Sequence, residues 1–138
     1  ARYSGALEEP LFDGIAPLLG RLAAAGWTLG VATGKSDRGL IACLTGHGLL
    51  NRFATLQTAD RHPSKPHPAM LEAALFEAGA AAADAVMIGD TTFDIDMARA
   101  AGVRAIGVDW GYHSAEELRS AGAEVVVTST RELGDYLA

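Results

Sequence analysis

A single cysteine, Cys43, leaves this chain with no disulfide framework and no cysteine-based metal cluster. Its 138 residues hold no apolar run near the roughly 20 residues that a membrane span requires. The opening Ala1-Arg2-Tyr3-Ser4-Gly5 lacks the apolar core of a signal peptide. Positive charge is not in excess: the formal net charge is −6, so a nucleic-acid footprint is not expected. Aromatic residues are few, at 7%. Low-complexity segments and internal repeats are absent. These absences point to a cytoplasmic protein with no membrane and no nucleic-acid partner.

What is present is apolar content of 49%, rich in alanine, which suits helices packed closely on a sheet. Short apolar runs alternate with helical patterns. Phe12 to Ala25 carries Leu18, Leu19 and Leu22 at helical spacing and is closed by Gly26. Trp27 to Thr33 reads as a strand, and Asp37 to His47 as a helix with Leu40, Ile41 and Leu44 on one face. Phe53 to Thr58 is a short strand, followed by an irregular loop to Pro66. His67 to Gly79 is a helix in whose first turn Pro68 is tolerable. Strands follow at 86–88, 105–108 and 125–127, with helices over about 91–101, 114–121 and 130–137. The alternation predicts an α/β fold: a Rossmann-like, doubly wound and mostly parallel sheet.

The segment Gly89-Asp90-Thr91-Thr92-Phe93-Asp94 sits where the strand Ala85-Val86-Met87-Ile88 ends and a helix begins. Ligands of open α/β sheets bind at that edge. Two carboxylates there suit a hard cation such as Mg²⁺, which keeps several waters and needs only one or two protein carboxylates. The plainer reading has Asp90 capping the helix and Asp94 complementing its dipole. Gly89 favours the first reading, because glycine permits close backbone approach to a ligand. Asp96 reads as a solvated helix position.

Thr33-Gly34-Lys35-Ser36 ends another strand and opens another helix. A hydroxyl and backbone N–H groups there make an anion site, or Thr33 is simply a strand-end cap. A phosphate-wrapping nucleotide loop is excluded. It needs a glycine five positions before Gly34, where Leu29 stands, and Gly30 is one residue late. In Ser64-Lys65-Pro66-His67-Pro68 two prolines stiffen the backbone around Lys65. A fixed ammonium serves a phosphoryl group amid carboxylates, whereas an unflanked lysine is ordinarily solvated surface. His62 and His67 match no zinc spacing. Trp110-Gly111-Tyr112-His113 reads as a packed loop rather than a pocket wall. Cys43 reads as a small core residue, and Asp13 as a helix-start residue.

Thr33, then Lys65 in S-K-P-H-P, then G-D-T-T-F-D, in that order and at strand ends, resembles the haloacid dehalogenase superfamily, most of all its phosphoglycolate-phosphatase-like hydrolases. The likeness extends through V-A-T-G-K-S, P-S-K-P-H-P-A-M, M-I-G-D-T-T-F-D and A-R-A-A-G-V. It implies a Mg²⁺-dependent phosphatase working through an aspartyl-phosphate on a small phosphorylated metabolite such as phosphoglycolate. Carried onto this chain, Thr33 and the Gly34 amide would bind phosphoryl oxygens and Lys65 would neutralise them. Asp90 would bind Mg²⁺, with Asp94 supporting the metal site directly, from behind or through water.

The first motif of that superfamily, D-x-D-G-[TS], which supplies the nucleophile, is missing. Asp94-Ile95-Asp96 is followed by Met97, and Leu11 stands two residues before Asp13. The resemblance therefore implies residues 1–10 as a remnant of a linker from a cap, and 11–138 as the C-terminal part of the core. The central strand would be absent, the chain alone inactive, and the sheet gap a place for self-association. A dehalogenase would not need the metal site, and a mutase is distinguished chiefly by its cap. The alternative from another class is a non-catalytic module that keeps the fold and the phosphate/Mg²⁺ pocket.

Overall fold

The structure is a computed structural model that describes residues 2–4, 15–46, 48–65, 67–111 and 113–137. In chain order the elements are β1 (Arg2–Ser4), α1 (Ile15–Ala24), β2 (Trp27–Thr33), α2 (Asp37–Gly46), β3 (Thr55–Thr58), α3 (Ala69–Ala78), β4 (Ala85–Gly89), α4 (Thr92–Ala100), β5 (Arg104–Val108), α5 (Ala115–Ala121), β6 (Val125–Val127) and α6 (Thr130–Leu137). The strands form one six-stranded sheet in the order β3-β2-β1-β4-β5-β6. Every pairing is parallel. The chain winds outward from β1 to β3, then returns to the other side of β1 for β4 to β6. All five residues of β4 are buried, as happens only when helices cover both faces of a parallel sheet.

The core is aliphatic: Leu18, Leu19 and Leu22 of α1, Met70 and Leu71 of α3, Ile95 and Met97 of α4, and Leu118 of α5 are all buried against the strands. Left-handed glycines close α1 at Gly26, α3 at Gly79 and α5 at Gly122, as helix ends favour. The last helix is held to the sheet by Trp27 Nε1, which donates to the Leu137 carbonyl at 3.1 Å. On the same side Glu124 takes two N–H groups of Arg104 at 2.8 and 2.9 Å and the hydroxyl of Tyr136 at 2.7 Å. The hydrogen bond from Arg104 holds the Glu124 carboxyl below its usual range. Among the described residues no helix is long and apolar enough to cross a membrane.

Three expectations need correction. Ile41 does not join Leu40 and Leu44 in the core; it is 47% exposed, because α2 rests on the short edge strand β3 and reaches past it. Cys43 is only partly buried for the same reason. More important, the centre of the sheet is not empty. Arg2–Ser4 pairs with β2, from Arg2 opposite Trp27 to Ser4 opposite Leu29. It also pairs with β4, Tyr3 opposite Ala85 and Ser4 opposite Val86. Three residues without an apolar run give no sequence signal; the neighbouring backbones define this strand. Self-association through an empty central position loses that position as its basis. Asp13 lies outside the described residues.

β1 is short. β2 continues past Leu29 to Thr33 and β4 past Val86 to Gly89, with no described strand between them.

Close packing of helix on sheet makes one glycine exacting. A Cβ on Gly107 of β5 would lie 3.0 Å from Leu118 Cδ1 and 3.2 Å from Val126 Cγ2. Gly107→Ala is predicted to cost about 1–3 kcal/mol. Gly46→Ala, with nothing within 4 Å of the added carbon, is predicted to gain roughly 0.5 kcal/mol. Thermal unfolding followed by circular dichroism should move the two midpoints in opposite directions. A shift of the same sign in both would contradict this packing.

Candidate active site at the carboxyl edge of the sheet

Parallel strands deliver their last residues to one edge, so Thr33 of β2, Thr58 of β3, Gly89 of β4 and Val108 of β5 all end there. The sequence candidates divide between the two sides of β1. Thr33 and Gly34 close β2; Asp90 and Asp94 follow β4; Lys65 comes from the loop after β3.

Asp94 is the junction. It is the third residue of α4 and is 1% exposed. Its Oδ1 accepts from Lys65 Nζ at 2.5 Å. Its Oδ2 accepts the backbone N–H groups of Asp90 at 3.2 Å and Thr91 at 3.3 Å. Its own amide donates to Thr91 Oγ1 at 3.2 Å, which completes a capping box. Burying a carboxylate is costly unless its oxygens are hydrogen-bonded and its charge is paired, and here both oxygens have protein donors. The sequence reading treated helix capping and a functional role as rivals. Asp94 caps the helix with one oxygen and holds Lys65, whose side chain is 10% exposed, with the other.

Gly89 is explained differently from the expectation. A Cβ at this position would lie 2.2 Å from Asp94 Cβ and 2.6 Å from its Oδ2. The close approach that requires glycine is to the Asp94 side chain, not to a ligand.

Thr33 is buried at 1%, and its Oγ1 accepts the Lys35 N–H at 3.2 Å. The start of α2 is more occupied than the sequence suggests. Ser36 Oγ accepts the Gly39 N–H at 3.1 Å and Asp60 Oδ2 accepts the Asp37 N–H at 2.7 Å, so these helix amides serve protein acceptors. The space in front of Gly34 is open, with nothing within 4 Å of an added Cβ. Asp37 also accepts from Thr58 Oγ1 at 2.8 Å and Arg61 Nη2 at 3.0 Å. This clasp ties α2 to the loop that carries Lys65.

The histidines set aside as ligands have local partners. His62 Nε2 hydrogen-bonds Gln57 Oε1 at 2.7 Å. His67 Nδ1 accepts the Ala69 N–H at 3.1 Å, serving the first turn of α3. Asp96 is exposed, as expected.

Two residues that sequence reasoning left in a packed loop stand at the site. His113 donates its backbone N–H to the Asp90 carbonyl at 3.2 Å. Its ring Nδ1 accepts the Thr92 N–H at 2.8 Å. A Cβ on Gly111 would lie 2.0 Å from Asp90 Oδ2. The only sequence signal was the position of this loop after β5, on the ligand-binding edge.

Among the described residues no group of three or more His, Cys, Asp or Glu could hold a metal ion. Asp90 offers one hard carboxylate, buried at 9% exposure and seated in the space that glycine leaves at 111. That fits one ligand of Mg²⁺, which takes few protein carboxylates and completes its shell with water and phosphate. Asp94, with both oxygens on protein donors, fits the role of holding Lys65.

Comparison with known proteins adds an independent line. The family model for haloacid dehalogenase-like hydrolases matches residues 3–108. The chain is 42% identical over 125 residues to the probable phosphatase IndB of Dickeya dadantii, covering 89% of this chain and 54% of that protein. It is 39% identical over 128 residues to the phosphoglycolate phosphatase of Rhodospirillum rubrum, covering 92% and 53%. A crystal structure of a predicted phosphatase from Clostridium acetobutylicum superposes with a TM-score of 0.85 at 32% identity, covering 91% of this chain and 59% of that one. The chain spans about half the length of the curated relatives it matches.

Lys65→Met leaves Asp94 buried without its cation and is predicted to cost about 3 kcal/mol in urea unfolding. Adding Asp94→Asn to it should recover most of that loss, since the amide oxygen still accepts from Asp90 and Thr91. An unchanged midpoint in Lys65→Met would show that the pair contributes nothing.

Proposed function

Because the chain belongs to the haloacid dehalogenase-like hydrolase family, we propose that it forms the phosphate-handling part of a Mg²⁺-dependent phosphatase for a small phosphomonoester such as phosphoglycolate. The observation that carries this reading is the Lys65–Asp94 pair. It fixes one positive charge at the carboxyl edge, beside the β4 terminus that bears Asp90.

In this reading Thr33 uses its hydroxyl proton on a phosphoryl oxygen while its lone pair keeps the Lys35 amide. The Gly34 amide, at the turn after β2, binds a second oxygen. Lys65 neutralises charge that builds on the transferring group, where fixed electrostatics supply most of the acceleration. Asp94 keeps the ammonium in place without leaving it to solvent. Asp90 would hold Mg²⁺, which when bound supplies charge stabilisation at the phosphoryl oxygens. In the whole protein a nucleophile-bearing strand would stand between Thr33 and Asp90, and D-x-D-G-[TS] is the motif it would carry. In that whole protein residues 1–10 would leave the central position that Arg2–Ser4 takes here and form the return from a cap. The second reading is a module that acts only by binding phosphate and Mg²⁺.

Phosphate release from phosphoglycolate by the whole protein that contains this chain decides between them. Mg²⁺-dependent turnover is expected, falling by about 100-fold or more in kcat/KM for Lys65→Met or Asp90→Asn, with none from the 138-residue chain alone. Turnover undiminished in Asp90→Asn would overturn the reading. No turnover by the whole protein, with phosphate still bound, would favour the binding module.

A further inference from the structure

We propose that Gly111 and His113, in the loop after β5, are positioning residues that set the direction of the Asp90 carboxylate; the inference rests on the reading of Asp90 as the residue that would hold Mg²⁺. A carboxylate on a strand end has rotatable bonds, and a metal site needs one orientation of it. Groups around a ligand that fix this orientation matter nearly as much as the ligand itself.

The loop is anchored at both ends. The Asp109 amide donates to the Val127 carbonyl of β6 at 3.2 Å. Beyond the loop, Ser114 and Glu117 form the capping box of α5. Between these anchors His113 grips the backbone on both sides of Thr91, through the Asp90 carbonyl at 3.2 Å and the Thr92 N–H at 2.8 Å. Since Nδ1 accepts, the ring carries its proton on Nε2 in this arrangement. The rings of Phe93 and His113 lie 6.2 Å apart at 54°, further limiting where the imidazole sits.

Serving a first-turn amide of α4 would be enough to explain His113 as a helix cap. It would not explain Gly111. This glycine does not have a positive φ, so backbone conformation does not demand it. What demands it is space: an added Cβ would lie 2.0 Å from Asp90 Oδ2, 2.4 Å from its Cβ and 2.5 Å from its Cγ. The loop backbone is the wall against which the Asp90 side chain rests. Gly111 fixes how far that wall stands off, and His113 holds it in register with Asp90.

The test uses the 138-residue chain, its amide spectrum, and Mn²⁺ as probe. Three-bond couplings should report one χ1 rotamer for Asp90 in the parent, and millimolar Mn²⁺ should broaden the amides of Gly89 to Thr92 first. Gly111→Ala should move Asp90 to another rotamer and weaken apparent Mn²⁺ affinity on the order of tenfold or more. His113→Ala should let χ1 average. His113→Asn, whose carbonyl oxygen falls near Nδ1, should restore the single rotamer, and His113→Gln, whose carbonyl reaches toward Nε2, should not. A histidine that only caps α4 would change the unfolding midpoint from variant to variant but leave the single Asp90 rotamer in all three. Parent-like χ1 and Mn²⁺ affinity in both Gly111→Ala and His113→Ala would overturn the inference. If Gly111→Ala fails to fold, the three His113 variants decide. Should Mn²⁺ not broaden the Asp90 region of the parent, the metal reading falls, while the χ1 comparison still decides the positioning role.

Discussion

The Asp94 carboxylate joins parts of the chain that have no other reason to meet. One oxygen takes the Lys65 ammonium from a loop 29 residues earlier, and the other takes two amides at the turn from β4 to α4. In a site this buried, removing any one of these donors leaves charge or hydrogen-bonding capacity unmet. Gly89 is the counterpart on the strand, because nothing larger leaves room for Asp94. The Gly-Asp…Asp pattern is therefore a packing solution as well as a chemical one.

Around that junction the sheet arranges the remaining parts. Winding outward from β1 in both directions brings β2 and β4 to either side of the same central strand, so Thr33 and Asp90 lie on opposite sides of it. A second clasp, Asp37 with Thr58, Arg61 and Asp60, ties the Thr33 turn to the loop that leads to Lys65. The Thr33 turn and the Asp94 junction are thus linked through side chains at both ends of that loop. A third set of contacts, from Gly111 and His113, reaches Asp90 from the far side. The carboxyl edge is held by the first turns of α2 and α4 together with the loops after β3 and β5, not by any one helix terminus alone.

Much of this was legible from periodicity. Trp27–Thr33, Val125–Val127 and the last helix, 130–137, were read with the bounds the structure gives them, and the other elements read from the sequence differ at their ends by a few residues. The parallel sheet and the clustering of the motifs at strand ends followed from the alternation. What escaped had no local signature. Arg2–Ser4 is a strand because its neighbours offer backbone partners, not because of its own composition. Ile41 belongs to the apolar face of α2 by spacing, yet the helix meets a sheet edge there. The demand for glycine at 89 was read as space for a ligand, because sequence does not show that Asp94 folds back onto it. Gly111 and His113 touch residues about 20 positions away, a distance at which neither helical nor strand periodicity carries information.

The most direct test of the account is the ¹⁵N signal of the Lys65 ammonium. The chain has only two lysines, Lys35 and Lys65, so lysine labelling gives two assignable resonances. The account predicts that the Lys65 ammonium exchanges slowly with water. Its signal should shift when inorganic phosphate is added, and Asp94→Asn should abolish both the slow exchange and the shift. A Lys65 ammonium that exchanges as freely as a solvated one, and is indifferent to Asp94→Asn, would contradict the Asp94-centred site.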